Sequence, residues 1–436
     1  MTLARRFPAS VLLVAILLAR AAGAGLVDYV NKDDGKYSWT QRSARELPGG
    51  KAFDLRLISQ EWHGIRWTHR LQVFVPTKVE YPHFCLLYNT GGDGSPEEAL
   101  IGIETAKATG CLVAIVYNVP NQPLFDGKSE DALIADTWKR YIETGDDTWP
   151  LQLPMVKSVV KAMDAVQDWA KKEKRPAVTG FAITGASKRG WTAWLTGAVE
   201  DKRVKGIAPM VFDMLDLPAQ LEHQKVAYGK PSEQIHDYTS ANLDAMVHTP
   251  EGKRLVALTD PYAYRERLKM PKLMIMGTND RYWTLDSLNL YWDGLPAHKW
   301  VIYAPNSGHG LQDRVRVFEG VTAFTRSLAS GKPLPKVEWK TETAGGKVTL
   351  TTKADPKPSV ASVWSAESPT RDFRDATWTS TPLPVTDNGA SVPLELPESG
   401  WSARFIELTF NLDGRIFRTA TQVTLLQRAE TKTDKP

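Results

Sequence analysis

The chain has 436 residues, of which 42% are apolar, and its formal net charge is +4. This length exceeds the size at which a single hydrophobic core usually stops growing, so we expect two domains. The low net charge, without a cluster of lysine and arginine, excludes nucleic acid and anionic membranes as expected partners, and two cysteines are too few for a disulfide scaffold.

The N-terminus has the pattern of a secretion signal. Arg5 and Arg6 precede an apolar run at residues 11–19, and small residues follow at positions 21–24. Because the run is too short to span a bilayer, we predict that residues 1–24 are a cleaved signal peptide, with a retained membrane anchor as the alternative. This segment holds three arginines and no acid, so its loss lowers the net charge to +1. The mature protein is then expected to be secreted or periplasmic, without stable membrane insertion.

The segment after the signal predicts the first strands of a sheet. Alternating apolar residues over 53–75 predict two antiparallel strands, with His69 at the surface of this edge ribbon. Residues 84–88 form a short apolar run that predicts a buried parallel strand. That strand ends in a glycine-rich turn at residues 89–94, and a helical pattern follows at 96–108.

A second buried strand is predicted at residues 111–117. Cys85 and Cys111 lie at the starts of the two neighbouring strands, which permits either one disulfide between them or two separate buried thiols. Residues 118–154 contain four prolines and many acids and aromatics. A segment of this length at the carboxyl end of a strand is usually functional, so we expect it to form one wall of a pocket. An amphipathic helix is predicted at 157–174.

Ser187 lies on a predicted sharp turn between a strand and a helix. The strand covers residues 178–183, and the helix begins at Lys188. A serine on such a turn is held above the sheet beside the amides of a helix N-terminus, which is the geometry of an acyl-transfer nucleophile. The match to the G-x-S-x-G pattern is partial, since Gly190 stands one position late and Arg189 takes the close-packed place.

A cap is predicted between two core strands. A strand at residues 204–212 is followed by residues 213–268, which show helical stretches and several prolines but no strand pattern. Inserted after a core strand, such a segment is expected to cover an active site. Four of its tyrosines are expected either to line an enclosed pocket or merely to pack the cap onto the core: Tyr228, Tyr238, Tyr262 and Tyr264.

The strand pattern resumes after the cap and ends in two polar loops. Residues 272–276 predict a strand that leads to Asp280, and residues 300–304 predict a last strand that leads to His309. Helices are predicted at residues 286–294 and 313–329. Alternating strands and helices of this kind predict a mostly parallel α/β sheet, whose ligands bind at the carboxyl ends of the strands.

Ser187, Asp280 and His309 follow predicted strands in the chain order of the α/β-hydrolase fold. In that chemistry His309 accepts the serine proton and returns it to the leaving group, while Asp280 orients the imidazole and stabilises its cation. The alternative is a structural serine on an ordinary turn and a histidine held in a loop.

The oxyanion of the intermediate is expected to bind two backbone amides. One is the amide of Lys188 at the start of the helix, and the other comes from Gly91 or Gly92 in the glycine-rich turn. An ordinary tight turn is the alternative interpretation of these glycines.

Asp213 is the alternative acid, because it follows the strand at 204–212 and some α/β-hydrolases carry their acid there. Asp280 is preferred, since its loop and the His309 loop leave adjacent regions of the sheet. Asp286 is expected instead to cap the helix that begins at its position.

Neither a metal nor a cofactor is predicted. The chain has no H-E-x-x-H motif and no close pairs of cysteine and histidine, and the histidines of the predicted cap, His223, His236 and His248, lack ligand spacing. No glycine-rich phosphate loop or dinucleotide fingerprint occurs.

A change of composition near residue 335 divides a first domain, 25–335, from a second, 336–428. The second predicts about seven short strands with glycine turns, a spacing that suits a fibronectin-like or immunoglobulin-like β-sandwich. Trp364 and Trp378 are expected in its core, with a sugar- or peptide-binding face as the alternative. Residues 429–436 are charged and predicted to be disordered.

Motifs from both the core and the cap are shared with one known family. They are Gly185-Ala186-Ser187-Lys188-Arg189-Gly190-Trp191-Thr192, Trp149, Pro154-Met155-Val156-Lys157-Ser158, Met163-Asp164-Ala165-Val166-Gln167, Asp260-Pro261-Tyr262, Tyr264, Gly277-Thr278-Asn279-Asp280, Pro305-Asn306 and His309. On these residues the chain resembles the PhoPQ-activated pathogenicity-related proteins over nearly its whole mature length. The resemblance implies an exported α/β-hydrolase domain with a cap and a small β domain behind it, and it implies no substrate.

The sequence therefore predicts an exported serine hydrolase that cleaves an ester or peptide bond in a small molecule or peptide through an acyl-enzyme. The alternative comes from another class of protein, a catalytically inactive hydrolase fold that acts as a secreted binding or signalling protein.

Overall fold

Nine strands form one large sheet in the first part of the chain. The computed structural model describes residues 25–344 and 347–428, so the predicted signal peptide and the predicted tail lie outside the described residues. The strands are β1 Ser38–Leu47, β2 Gly50–Trp62, β3 Ile65–Pro76, β4 Tyr81–Asn89, β5 Cys111–Val116, β6 Gly180–Ala186, β7 Val204–Met210, β8 Lys272–Gly277 and β9 Lys299–Ala304. They pair in the order β1-β2-β3-β5-β4-β6-β7-β8-β9.

The six strands from β5 to β9 in this order run parallel, which confirms the predicted mostly parallel sheet. Strands β1, β2 and β3 form an antiparallel ribbon that joins the sheet at β5. The prediction that His69 in β3 lies at the surface is wrong, since its ring is buried. Its Nδ1 lies 3.1 Å and 3.0 Å from the carbonyl oxygens of Tyr117 and Asn118.

Helices cover both faces of the large sheet. Outside the cap they are α1 Leu26–Asn31, α2 Pro96–Thr109, α3 Glu130–Thr144, α4 Gln152–Lys172, α5 Lys188–Ala198 and α10 Arg314–Ser330. Strand β5 is buried at every position, because its successive side chains point to opposite faces and both faces are covered. Leu112 and Ala114 join a core with α4 and α5, and Val113 and Ile115 join a core with α2 and α10.

Two predicted elements differ from the structure. The segment 118–154, predicted as a long loop, contains helix α3, whose buried Leu133, Ile134, Trp138 and Tyr141 recur at helical spacing. The helix predicted at 286–294 is a short 3₁₀ helix, Ser287–Leu290, followed by turns.

The cap enters after β7 and returns to β8. It contains α6 Leu217–Tyr228, α7 His236–Thr239, α8 Leu243–Met246, α9 Pro250–Thr259 and the 3₁₀ helices Glu233–Ile235 and Pro261–Arg267. Buried Asp260 joins its two ends, because it accepts hydrogen bonds from the amides of Leu217 at 2.7 Å and Tyr262 at 2.8 Å. Burial raises the pKa of Asp260 to about 7, although these backbone hydrogen bonds oppose the shift.

The C-terminal part forms two antiparallel sheets. Its strands are β10 Lys336–Ala344, β11 Lys347–Asp355, β12 Val360–Ser368, β13 Thr379–Leu383, β14 Ser391–Leu394, β15 Trp401–Leu412, β16 Arg415–Ala420 and β17 Thr424–Gln427. One sheet has the order β10-β11-β14 and the other β13-β12-β15-β16, with β17 also paired to β15. Trp378 is buried with its ring 5.3 Å from that of Phe405, which places it in the core, and Trp364 is half-buried beside the same ring.

Two further features concern cysteines and membrane spans. Cys85 and Cys111 are both buried free thiols, so of the two possibilities left open the structure has the separate pair. Among the described residues, no helix has the length and apolar character needed to cross a bilayer.

Candidate active site

Ser187 occupies the sharp turn between β6 and α5. Its φ of 57° and ψ of −125° are rarely adopted by residues other than glycine, and such strain is typical of functional turns. The glycines around it permit close packing. A Cβ at Gly185 would lie 2.7 Å from the carbonyl oxygen of Arg189, and one at Gly190 would lie 2.7 Å from that of Met210. The close-packed place is therefore taken by Gly190 and not by Arg189, contrary to the prediction.

His309 and Asp280 meet at the carboxyl edge of the parallel strands. His309 Nδ1 lies 2.8 Å from Asp280 Oδ2, and the other carboxylate oxygen accepts a 2.9 Å hydrogen bond from the amide of Tyr282. Asp280 is buried, with 6% of its surface exposed. Within the described part of the chain His309 Nε2 has no hydrogen-bond partner, so it has not formed a bond with the Ser187 hydroxyl.

The alternative acid, Asp213, has a different partner. It is buried, and its Oδ1 accepts a 2.6 Å hydrogen bond from the Tyr291 hydroxyl. Burial raises the pKa of Asp213 to about 7; the Tyr291 hydrogen bond opposes the shift, and the charge of nearby Asp280 adds to it. The structure therefore places His309 with Asp280 and not with Asp213.

Asp286 does not cap a helix, contrary to the prediction. Its side chain makes no capping hydrogen bond at the 3₁₀ helix that follows it. Its two oxygens bind His223 Nε2 at 2.8 Å and a guanidinium nitrogen of Arg371 at 2.6 Å. Two charged or polar partners from distant segments satisfy this buried carboxylate better than one backbone amide would.

Helix α3 anchors the residues that follow Ser187. Lys188 Nζ lies 2.8 Å from Asp131, and the Arg189 guanidinium binds both oxygens of Glu130 at 2.6 Å and 2.7 Å. Burial alone would raise the pKa of Glu130, but the hydrogen bonds and charge of Arg189 lower it to about 2. These pairs hold α3 against the start of α5, which explains why the sequence tolerates two cations there.

Two of the predicted oxyanion residues, Gly91 and Gly92, line a cleft that also reaches Ser187. This cleft is lined by Tyr88, Asn89, Thr90, Gly91, Gly92, Glu130, Ala186, Ser187 and Arg189. In the described chain the amides of Lys188 and Gly91 donate to no protein acceptor, whereas the Gly92 amide donates to the Thr90 hydroxyl at 3.3 Å. A Cβ at Gly91 would lie 1.9 Å from the Arg189 guanidinium, so a larger residue there would require this side chain to move.

A second, mostly apolar pocket, which we call the cap pocket, also reaches Ser187. It is lined by Asp131, Trp138, Ser187, Lys188, Trp191, Phe212, Met214, Leu217, Leu221, Ile235, Tyr238, Leu243, Asp244, Val247, Asp260, Tyr282 and Trp283. Of the four cap tyrosines, Tyr238 lines it. The other three pack, since Tyr228 and Tyr264 donate to backbone carbonyls and Tyr262 lies against Gly294.

Sequence reasoning missed Tyr282, whose ring lies 4.2 Å from the His309 ring, centroid to centroid. Its position two residues after Asp280 was the one available signal. It also missed Asp131 and Trp138, which reach the pocket because α3 forms its wall. In residues 25–344 and 347–428 no group of three or more His, Cys, Asp or Glu side chains is arranged to hold a metal ion.

Comparisons with known proteins find relatives across the chain. The chain is 32% identical over 442 residues to Autocrine proliferation repressor protein A of Dictyostelium discoideum, covering 92% of this chain and 88% of that protein. Similar solved structures include acetyl xylan esterase 1 from Thermoanaerobacterium sp. JW/SL YS485, with 17% identity, a TM-score of 0.49, and coverage of 70% of this chain and 91% of that one. Another is an S-formylglutathione hydrolase from Agrobacterium tumefaciens, with 13% identity, a TM-score of 0.45, and coverage of 67% and 99%.

The order of the strands, the serine turn after β6 and the cap after β7 together define an α/β-hydrolase fold, as predicted. The sequence profile of the PhoPQ-activated pathogenicity-related proteins matches residues 26–374, which is more than half of the chain. The resemblance inferred from the motifs is therefore confirmed, and the protein belongs to the PhoPQ-activated pathogenicity-related protein family.

Proposed function

We propose that this protein is a serine hydrolase that cleaves an ester or peptide bond through an acyl-enzyme on Ser187. The observation that carries the proposal is the 2.8 Å contact between His309 and Asp280 at the edge of the sheet where Ser187 occupies a strained strand-to-helix turn. An ordinary structural turn has no need of a buried acid and a histidine with an unpartnered ring nitrogen at the same edge of the sheet.

The proposed reaction assigns one role to each residue. His309 Nε2 accepts the proton of Ser187 as its oxygen attacks the carbonyl carbon, and then gives that proton to the leaving group. Asp280 accepts the hydrogen bond from Nδ1, which fixes the tautomer and stabilises the imidazolium. The amides of Lys188 and Gly91 are the proposed oxyanion donors, because both are free of protein acceptors in the described chain. Water then repeats the sequence to release the acid.

The cap pocket supports a substrate with an apolar group next to the scissile bond. Aromatic and aliphatic side chains from the core and the cap line this pocket together with Ser187. An enclosed site of this kind favours small molecules or chain ends over folded proteins. Internal cleavage of a large folded protein as fast as a short substrate would contradict this part of the proposal. We further propose that the enzyme is secreted or periplasmic.

The test is hydrolysis of a panel of p-nitrophenyl esters and amino-acid anilides. We expect turnover of at least one class, and its loss in Ser187→Ala. Ser402→Ala is the matched control, because Ser402 is a buried serine of the C-terminal part whose hydroxyl has no hydrogen-bond partner among the described residues. Turnover that persists in a folded Ser187→Ala protein would overturn the proposal.

A second candidate function is a secreted signalling protein with an inactive hydrolase fold. The observation that favours it is the relative from Dictyostelium discoideum, whose name describes a repressor of proliferation. A folded wild-type protein that hydrolyses neither class of substrate would support this candidate.

A further inference from the structure

One loop of the C-terminal part lies on the two loops that carry Asp280 and His309. It connects β12 to β13 and comprises residues 369–378, and we call it the buttress loop. Its contacts are hydrogen bonds and ion pairs with three separate segments of the hydrolase domain. They involve the acid loop, the histidine loop and the cap.

The acid loop is held through Asn279, the residue directly before Asp280. Asn279 Nδ2 donates to the carbonyl oxygen of Ala376 at 2.7 Å, with those of Arg374 and Phe373 at 3.3 Å and 3.4 Å. Its Oδ1 accepts a 2.7 Å hydrogen bond from the Thr278 hydroxyl. The amide is therefore fixed in orientation, with its donor end directed into a cradle of backbone carbonyls.

The histidine loop is held through Asn306, three residues before His309. Asn306 Oδ1 accepts from the amide of Trp378 at 2.7 Å, and its Nδ2 donates to the carbonyl oxygen of Trp378 at 2.9 Å. The Asn306 side chain thus pairs with both backbone groups of Trp378, as a neighbouring strand would, and its orientation is fixed. The indole of Trp378 is buried against Phe405, so the anchor is part of the C-terminal core.

The acid and histidine loops also bind each other. The amide of Asn306 donates to the Thr278 hydroxyl at 3.0 Å, and the amide of Asn279 donates to the carbonyl oxygen of Ser307 at 3.0 Å. The buttress loop thus supports one connected unit that contains both members of the Asp280 and His309 pair.

The cap is held by Arg374 of the same loop. Its guanidinium binds Glu233 at 2.8 Å and lies 4.1 Å from the centre of the Tyr228 ring. Arg371 binds Asp286 at 2.6 Å, and Asp286 in turn binds His223 of helix α6, the cap helix that also contains Tyr228. One short loop therefore contacts the acid loop, the histidine loop and the cap.

We propose that the buttress loop is a positioning element of the active site, which acts through Asn279 and Asn306 to hold Asp280 and His309 in register with Ser187. The inference rests on the proposed hydrolase function. A catalytic histidine displaced by about 1 Å contributes much less to the rate of the chemical step. Loss of the supporting contacts should therefore lower that rate and leave substrate affinity unchanged. If these contacts only joined the two parts of the chain, their loss would lower the stability of the protein and leave the reaction rate unchanged.

The test compares three variants with wild type in their reaction with a fluorophosphonate. Asn306→Gly removes the side chain and keeps the backbone unstrained, since Asn306 has a φ of +55°. Asn279→Ala removes the other contact. Asn289→Ala is the matched control, because Asn289 also donates a hydrogen bond to the C-terminal part, to the carbonyl oxygen of Val423 at 2.9 Å. It makes no hydrogen bond with the acid loop or the histidine loop in the described chain.

We expect the maximal inactivation rate of Asn306→Gly and Asn279→Ala to fall about 10- to 100-fold, with the half-saturating probe concentration unchanged. Asn289→Ala should keep the wild-type inactivation rate, even if its melting temperature falls as much as those of Asn306→Gly and Asn279→Ala. Asn306→Asp, which keeps the acceptor for the Trp378 amide, should recover part of the rate. If Asn306→Gly does not fold, Asn279→Ala decides by the same criterion.

Two results would overturn the proposal, and they have different consequences for the proposed hydrolase function. Wild-type rates in a folded Asn306→Gly or Asn279→Ala protein, or an equal loss in Asn289→Ala, would refute the positioning role and leave the hydrolase function standing. A folded wild type that does not react with the probe would refute both.

Discussion

Ser187 shows how a few backbone requirements determine the site. Its left-handed φ raises the serine above the sheet, and Gly185 and Gly190 let the strand, the turn and helix α5 approach within contact distance. Asp280 is buried, and its two oxygens bind the Tyr282 amide and the His309 ring. A carboxylate held in this way is positioned to orient the imidazole ring and to stabilise its cation.

The first residue-scale prediction separates the two candidate acids. Asp280→Asn should lower turnover by about 10⁴-fold with the fold intact, because the imidazole then takes the wrong tautomer. Asp213→Asn should do much less, since Asp213 bonds Tyr291 and not His309. Steady-state kinetics of the two variants, with circular dichroism as the folding control, gives the ranking. The reverse ranking would move the acid to Asp213.

The second residue-scale prediction concerns stability and pH. Asp213 has an ordinary pKa of 3.8 when unfolded and a pKa of about 7 when folded, so between these values the folded state holds a proton that the unfolded state has released. Its burial therefore lowers stability as pH rises through that window. As the pH rises through this window, the free energy of unfolding of Asp213→Asn should increase relative to that of wild type, by up to about 4 kcal/mol in total. Urea unfolding at several pH values measures this, and a difference independent of pH would contradict it.

Some residue environments could be read from the sequence and others could not. Ser187, Asp280 and His309 were predicted together because each follows an apolar run, and the carboxyl ends of parallel strands share one edge of a sheet. The environments of His69 and Asp286 were predicted wrongly. Their partners lie up to 85 residues away in the chain, and pairs this distant leave no periodic pattern.

At the scale of elements, helix α3 was the main omission. The prolines of the segment 118–154 indicated a loop, but they lie outside α3, whose apolar residues at helical spacing were the overlooked signal. The cap, at about residues 213–268, was predicted from the absence of a strand pattern. Which cap residues face the pocket depends on how short helices rotate, and this is set by packing and not by local sequence.

The cap pocket gives the element-scale prediction. Leu221→Ala removes a buried side chain that lines the pocket, so the preferred acyl chain of ester substrates should become longer, with a loss of stability of about 2–5 kcal/mol. A series of p-nitrophenyl esters of increasing chain length measures the preference. Val226→Ala on the same helix is the control, because Val226 is 67% exposed. An unchanged preference in the Leu221 variant would mean that the acyl group binds elsewhere.

At the scale of the whole molecule, both hydrophobic cores contain residues from the two parts of the chain. The rings of Tyr303 in β9 and Phe405 in β15 lie 4.9 Å apart, and the hydroxyl of Thr419 donates to the carbonyl oxygen of Val301 at 3.0 Å. The two-part fold class was predictable from the change in composition near residue 335. The contacts between the parts were not, because each depends on the surfaces of two finished sheets.

This shared packing gives the whole-molecule prediction. A chain that ends at residue 335 should aggregate, because it exposes the apolar surface around Tyr303 and loses the packing of Trp292 on Trp339. Size-exclusion chromatography of the truncated and full-length proteins measures this. A truncated protein that is monomeric and melts at the full-length temperature would show that the C-terminal part is dispensable for folding.

The most direct measurement is the mass and location of a covalent adduct. Wild-type protein treated with a fluorophosphonate should gain one adduct by intact-mass spectrometry, and peptide mapping should locate it on Ser187. Ser187→Ala should gain none, and Ser402→Ala should react as wild type does. An adduct on another residue, or a folded wild-type protein that gains none, would contradict the assignment of Ser187 as the nucleophile.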